Sequence, residues 1–182
     1  ECGKNGSTPL QLAVYEDRFD VARMLIEEYD VKIDNPGGKD RTPLMTAAFL
    51  TNKEITQYLI DHGANVNWQD SYGRTPLHFI AKDIYPDVTD LLLKNGADIE
   101  IRSTHDNASP LDIAVNNGAI DNVLLLLAEA TQLNLDYSYY HSAIDYVVDK
   151  RAVEARQIVI SHLENLKLSE TINTESQESF CF

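Results

Sequence analysis

The sequence predicts an all-α solenoid of about five stacked two-helix units, and three observations predict it. A helix-start signature recurs at a fixed step: Thr8-Pro9-Leu10, Thr42-Pro43-Leu44, Thr75-Pro76-Leu77, Ser109-Pro110-Leu111 and Ser142-Ala143-Ile144, separated by 34, 33, 34 and 33 residues. An aliphatic pair keeps the same register, 17 and 18 residues after each Thr or Ser: Leu25-Ile26, Leu59-Ile60, Leu92-Leu93, Leu126-Leu127 and Val159-Ile160. The composition, 43% apolar and 24% charged over 182 residues, is that of an ordered chain. A period of this length, held over five units, is the mark of units that bury their apolar faces against one another.

Each unit opens on a hydroxyl residue before Pro. The hydroxyl caps a free N–H and Pro is preset for the first helical position. Small residues follow on this first helix, Ala13-Val14, Ala47-Ala48, Ala81 and Ala114-Val115, and leave room for neighbouring helices to approach. A second, amphipathic helix carries the aliphatic pair, as in Ile55, Tyr58, Leu59 and Ile60. In units two and three it ends at Gly63 and Gly96, where a left-handed cap is expected. A polar loop, for example Asn67 to Gly73, leads to the next start.

With these residues on the page, the chain resembles the ankyrin-repeat family, whose unit of about 33 residues carries T-P-L-H-x-A. The fullest match is Gly73-Arg74-Thr75-Pro76-Leu77-His78-Phe79-Ile80-Ala81, followed by Leu91 to Ile99. The resemblance covers roughly residues 4–163, in repeats of about 4–37, 38–70, 71–104, 105–137 and 138–163, and leaves 164–182 as a polar, acidic tail. It implies a β-turn finger ahead of each helix pair. It also implies an inter-repeat hydrogen bond from the motif His, which only His78 retains; Gln11, Met45, Asp112 and Asp145 leave that bond open in the other units.

The departures are read one by one. Unit one has an extra residue and no Gly after its second helix, so an irregular end is expected at Glu28-Tyr29-Asp30. Asn35-Pro36-Gly37-Gly38 reads as a finger-tip turn. Unit five lacks Pro, and Glu154, Arg156 and Gln157 make its second helix polar, as a terminal cap requires. Unit one has no such rewriting and the chain opens Glu1-Cys2-Gly3-Lys4, so the expectation is a fragment with further repeats before it. Residues 171–179 read as a solvated stretch, or as a docking peptide through Phe180, Cys181 and Phe182.

Charge and motifs exclude several function classes. Fifteen basic residues against 29 acidic ones give a formal charge of −14, the wrong sign for phosphate backbones or anionic membranes. No apolar run approaches the roughly 20 residues of a membrane span. Cys2 and Cys181 sit at opposite ends, neither a disulfide framework nor a metal pair, so a cytoplasmic or nuclear setting is expected. His62, His78, His105, His141 and His162 form no ligand or catalytic constellation, and no phosphate-loop or nucleophile-elbow motif occurs. No enzyme activity, cofactor or metal is expected.

What remains is a surface. The resemblance implies partner binding on the concave side, built from finger tips and the exposed part of each first helix. By register this selects Tyr15, Phe49, Leu50 and Lys82 on the first helices, and Arg41, Trp68, Tyr72, Arg74 and Tyr139 on the fingers. Phe49 and Leu50, flanked by Tyr15 on one side and Trp68, Tyr72 and Arg74 on the other, read as an aromatic and Arg patch of the kind that anchors interfaces. The alternative is that Phe49 folds back into a gap left by small residues. Asn67 resembles the asparagine that oxygen-sensing hydroxylases modify in this family, or simply bonds the loop backbone. The expected partner is another protein with a basic segment, with neither nucleic acid nor membrane insertion. The readings carried forward are an interaction scaffold, a regulatory segment of a larger channel, toxin or effector, and an inhibitor resembling the ankyrin inhibitors of Rel-type transcription factors.

Overall fold

Every described Thr-Pro or Ser-Pro step does start a helix. The computed structural model describes residues 6–135, 139, 140, 143 and 153–178, with side chains as far as Lys167. Unit one is α1 (Pro9–Tyr15) and α2 (Phe19–Glu27); unit two is α3 (Pro43–Phe49) and α4 (Lys53–Asp61). Unit three is α5 (Pro76–Ile80) and α6 (Asp87–Lys94); unit four is α7 (Pro110–Asn117) and α8 (Ile120–Gln132). The hydroxyls of Thr8, Thr42 and Ser109 accept the amides of Gln11, Met45 and Asp112 at 3.2, 3.3 and 3.2 Å, which satisfies donors the helix itself leaves free.

Helices of adjacent units stack in two rows. First helices pack α1 on α3, α3 on α5 and α5 on α7, while second helices pack α4 on α6 and α6 on α8. Leu44, Ala47, Ala48, Leu59, Leu77, Leu92, Leu111 and Leu126 lie in the seam, all fully buried, and one apolar cluster runs through every described unit. The small residues therefore serve as read: they bring the first helices close enough to share this core. α2 and α4 are joined at their outer edge, where Phe19 meets Tyr58 edge-on at 5.1 Å and the Tyr58 hydroxyl donates to Glu27 at 3.0 Å.

The second helices of units one to three all end at a left-handed residue, with a wider closing loop in unit one. Gly63 and Gly96 are left-handed, and the next amides, Ala64 and Ala97, donate back to Leu59 and Leu92 at 3.0 Å. In unit one Asp30 takes the left-handed place (φ 47°), and Val31 N–H reaches Leu25 O at 3.3 Å. The end is irregular as expected: an Asp, which tolerates this region better than most, takes the left-handed place, and the closing bond spans six residues where those of units two and three span five.

The fingers are turns; no strand occurs among the described residues. Gly37 N–H to Arg41 O, Asp70 N–H to Arg74 O and Ser103 N–H to Ala108 O close them at 2.8–2.9 Å. Single backbone bonds then tie finger to finger: Gly38 to Gly6 O, Ser71 to Lys39 O and Thr104 to Tyr72 O, at 3.0, 3.0 and 2.7 Å. Gly73 (φ 72°) is required here, because a Cβ would come within 2.9 Å of the Thr104 backbone. The last described helix, α9 (Val153–Glu178), packs on α8 and α7 and runs on through residue 163, with Leu163 buried and Leu166 against the core. Residues 171–178, expected as a solvated stretch, are helical backbone. Cys2, Asn5, His141, Asp145 and Phe180-Cys181-Phe182 lie outside the described residues.

Candidate binding groove

The residues read as a surface patch separate into groups. α1, α3 and the second finger enclose a groove of about 480 Å³ whose walls include Tyr15, Gln11, Lys39, Arg41, Phe49 and Phe79. Tyr15 is 60% exposed and Phe49 47% exposed, so Phe49 does not fold back into a gap between helices. Leu50 caps the end of α3 and is half-buried. Lys82 lies past the end of α5 at Ile80, not on the helix as its register suggests, and sets its ammonium 4.5 Å above the Phe49 ring.

The floor is a stack of guanidinium on ring. Arg41 and Arg74 both lie over Phe79, at 5.2 and 4.8 Å from its centre. Both also converge on Asp70, whose side chain is inaccessible to solvent: Arg74 Nη2 and Nε donate to Oδ2 at 2.7 and 3.1 Å, and Arg41 Nε lies 3.8 Å away. Burial pushes the Asp70 carboxyl up. The Arg74 guanidinium and the Arg74 and Tyr72 amides outweigh it and hold the carboxyl below its ordinary value. Asp70 therefore stays ionised, holds Arg74 by two hydrogen bonds and attracts Arg41 by charge alone.

Further along the fingers, Tyr72 lies under Lys39 and Arg74 at 5.4 and 4.9 Å and meets His105 edge-on at 6.2 Å. Trp68 is half-buried, and its indole N–H donates to Asp40 O at 3.0 Å. It ties one finger to the next and does not line the groove. Tyr139 is corrected outright: it is 6% exposed, and its hydroxyl donates to Ile99 O at 3.2 Å. Burial, with the Asp112 carboxylate nearby, pushes that hydroxyl above its ordinary range. Asn67 Nδ2 donates to Gly96 O at 2.9 Å and its Oδ1 accepts Asp98 N–H at 2.8 Å, the loop-bonding role. Phe79 enters the sequence reading only as part of the motif, next to His78, and is 9% exposed. Arg41 and Arg74, each one residue before a helix-capping Thr, both precede Phe79 in the sequence, and only the fold brings them over its ring.

Among the described residues no group of three or more His, Cys, Asp or Glu could hold a metal ion. No described helix is long and apolar enough to cross a membrane. The family model "Ankyrin repeats (3 copies)" matches residues 27–103 and 69–137, and "Ankyrin repeat" matches residues 5–36. The chain is 24% identical to the B-cell lymphoma 3 protein homolog of Mus musculus over 171 residues, 90% of this chain and 38% of that protein. It is 30% identical to the transient receptor potential cation channel subfamily A member 1 of Drosophila melanogaster, over 68% of this chain and 11% of the channel. It is 32% identical to alpha-latrocrustotoxin-Lt1a of Latrodectus tredecimguttatus, over 63% of this chain and 8% of the toxin. The chain thus spans less than two fifths of the length of each of these relatives. Ankyrin repeats generally mediate protein–protein interaction. Their turn-built fingers, paired helices and shared core are those found here, and the chain belongs to the ankyrin-repeat family.

Proposed function

We propose that this array is a non-enzymatic recognition module that binds a partner protein along the groove between units one and three. The observation that carries the reading is the pair of exposed aromatics, Tyr15 and Phe49, on the walls of a groove whose floor is held rigid by Asp70, Arg41, Arg74 and Phe79. Exposed aromatic area beside Arg, on a scaffold already ordered, is the composition of interface anchors and loses little entropy on binding. The formal charge of −14 favours a partner that also carries a basic segment and an encounter that slows as salt rises. Asp87, Asp90 and Asp121 around Leu124, on the second-helix side, are where such a segment fits. The absence of any Cys spacing suited to disulfides supports a cytoplasmic or nuclear setting.

The test uses the partner obtained by affinity capture, titrated calorimetrically against variants. Tyr15→Ala with Phe49→Ala should weaken binding at least tenfold while the helical melt is unchanged; unaltered affinity ends the reading. A second reading, a regulatory segment of a larger protein, is favoured by relatives such as the channel and the toxin, of which this stretch matches about a tenth.

A further inference from the structure

The groove has the opposite charge to the molecule around it. Outside it, Arg18, Arg23, Lys53, Lys94 and Arg102 each have a carboxylate within 4.0 Å, and Lys32 has none among the described residues. At the groove the cations are placed differently. Lys39 and Lys82 are exposed and sit over the rings of Tyr72 and Phe49, with no carboxylate within 4.0 Å among the described residues. The Arg41 guanidinium donates no hydrogen bond to a described residue; Nε is buried and 3.8 Å from Asp70, while the side chain as a whole is 41% exposed and lines the groove. Two arginines share the single charge of Asp70, so the floor keeps a net positive charge. The nearby Asp40 carboxylate is turned to the Ser71 hydroxyl at 2.6 Å.

On the reading that the groove binds protein, we infer that its occupant is an acidic segment of the partner, with one aromatic or aliphatic side chain seated between Tyr15 and Phe49 and flanking carboxylates on Lys39, Arg41 and Lys82. A guanidinium with unused donors beside rings matches a carboxylate geometrically as well as in charge. A basic segment placed here would face Lys39 and Lys82, which have no carboxylate within 4.0 Å among the described residues, and Arg41, which shares the Asp70 charge with Arg74. A nucleic-acid strand would satisfy the cations, but its phosphates continue past the groove onto a surface of net charge −14, where they are repelled. A short acidic segment keeps its charge within the cationic patch.

The experiment is fluorescence anisotropy at low and moderate salt with three labelled probes. These are a dodecapeptide of Asp and Glu around a central Phe-Leu pair, the same peptide with every acid replaced by Lys, and a twelve-nucleotide oligothymidylate. The acidic peptide should bind at least tenfold tighter than either other probe and weaken with salt. It should lose at least tenfold with Lys39→Gln and Lys82→Gln together, and at least tenfold with Phe49→Ala. Lys53→Gln, remote from the groove, should leave it unchanged. Lys39 and Lys82 are exposed, so an unchanged melt separates lost binding from lost folding. Tighter binding of the Lys peptide that still needs Phe49 overturns the inferred polarity and leaves the groove reading standing. Binding indifferent to Phe49→Ala, or absent for both peptides, overturns both. Tighter binding of the oligonucleotide overturns the peptide assignment.

Discussion

At the start of α5 and at the start of α7 the third helical residue bonds in opposite directions along the array. In unit three, Thr75 N–H donates to His78 Nδ1 at 3.1 Å, so the ring proton sits on Nε2, which donates forward to Ala108 O at 3.2 Å in the finger of unit four. In unit four, Ser109 N–H donates to Asp112 Oδ2 at 2.7 Å, and the same oxygen accepts Arg102 Nη1 at 2.9 Å, from the segment behind it. The local cap needs only an acceptor, which both side chains supply. The forward link needs a donor on the far side of the same group, and a carboxylate has none. Gln11 has both functions: Oε1 accepts Thr8 N–H at 2.9 Å and Nε2 donates to Arg41 O. The bond implied by the family His is therefore made by two different residues, one of them not His.

The largest expected effect breaks this comparison by pH. His78 is 3% exposed, and burial pushes its imidazole down to about 4. Protonation would also set a proton on Nδ1 against the Thr75 amide. The unfolded chain takes up that proton near 6.5, so stability is full above that value and is lost as pH falls from 6.5 toward 4, by on the order of 3 kcal/mol. The Asp70 contribution lies lower: it is full above the ordinary carboxylate range and lost only beneath it. Urea unfolding at pH 7.5 and 4.5 checks this. His78→Gln, which copies Gln11, should keep most of the stability at pH 7.5 and flatten the upper window. A slope that survives His78→Gln would place the titration elsewhere.

The two helices also end differently, and a residue from the next unit carries the difference. α7 closes on left-handed Gly118. α5 stops at Ile80 without such a residue, and the carbonyls there gather on Asn122 of α8, whose Nδ2 shares its two hydrogens among the Ile80, Ala81 and Asp83 oxygens at 3.2, 3.3 and 2.7 Å. Asn122 is fully buried. Asn122→Ala removes the donor those carbonyls share, at a cost of about 2 kcal/mol. Asn122→Val, the kind of residue units two and three hold at this register as Ile55 and Val88, should not restore it. Thermal unfolding of the two variants decides: a stable Val variant would make Asn122 a packing residue only.

These pairs also mark what a sequence discloses. Period, helix starts and the Gly63 and Gly96 ends were legible because each depends on a residue and its near neighbours. Register put Tyr15 and Phe49 on the exposed face, but it left open whether Phe49 folds back into a gap, and only its 47% exposure decides. Tyr139 was not: its register gave a finger position, while its hydroxyl found Ile99 O, 40 residues away. Asn122 reads as a polar flaw in an apolar row until the early end of α5 is known. Phe79 is disclosed only when Arg41, from the unit before, is seen over its ring.

The smallest effect sharpens the comparison at unit two, where the same position supplies neither the cap acceptor nor the forward donor. Met45 holds the same position in unit two, is 1% exposed, and can neither accept the Thr42 amide nor donate forward. The residue before the next cap is Arg74, whose carbonyl stands where Arg41 O meets Gln11 and Ala108 O meets His78. Met45→Gln therefore places an acceptor beside Thr42 N–H and a donor toward Arg74 O. Two new hydrogen bonds gain about 1–2 kcal/mol, and burying an amide in place of a thioether gives back a similar amount. The expected net change is below about 1 kcal/mol in either direction, against a loss of 2 kcal/mol or more for Met45→Ala, which only opens a cavity. Equal losses in the Gln and Ala variants would show that the forward link depends on a backbone spacing that units one and three have and unit two lacks.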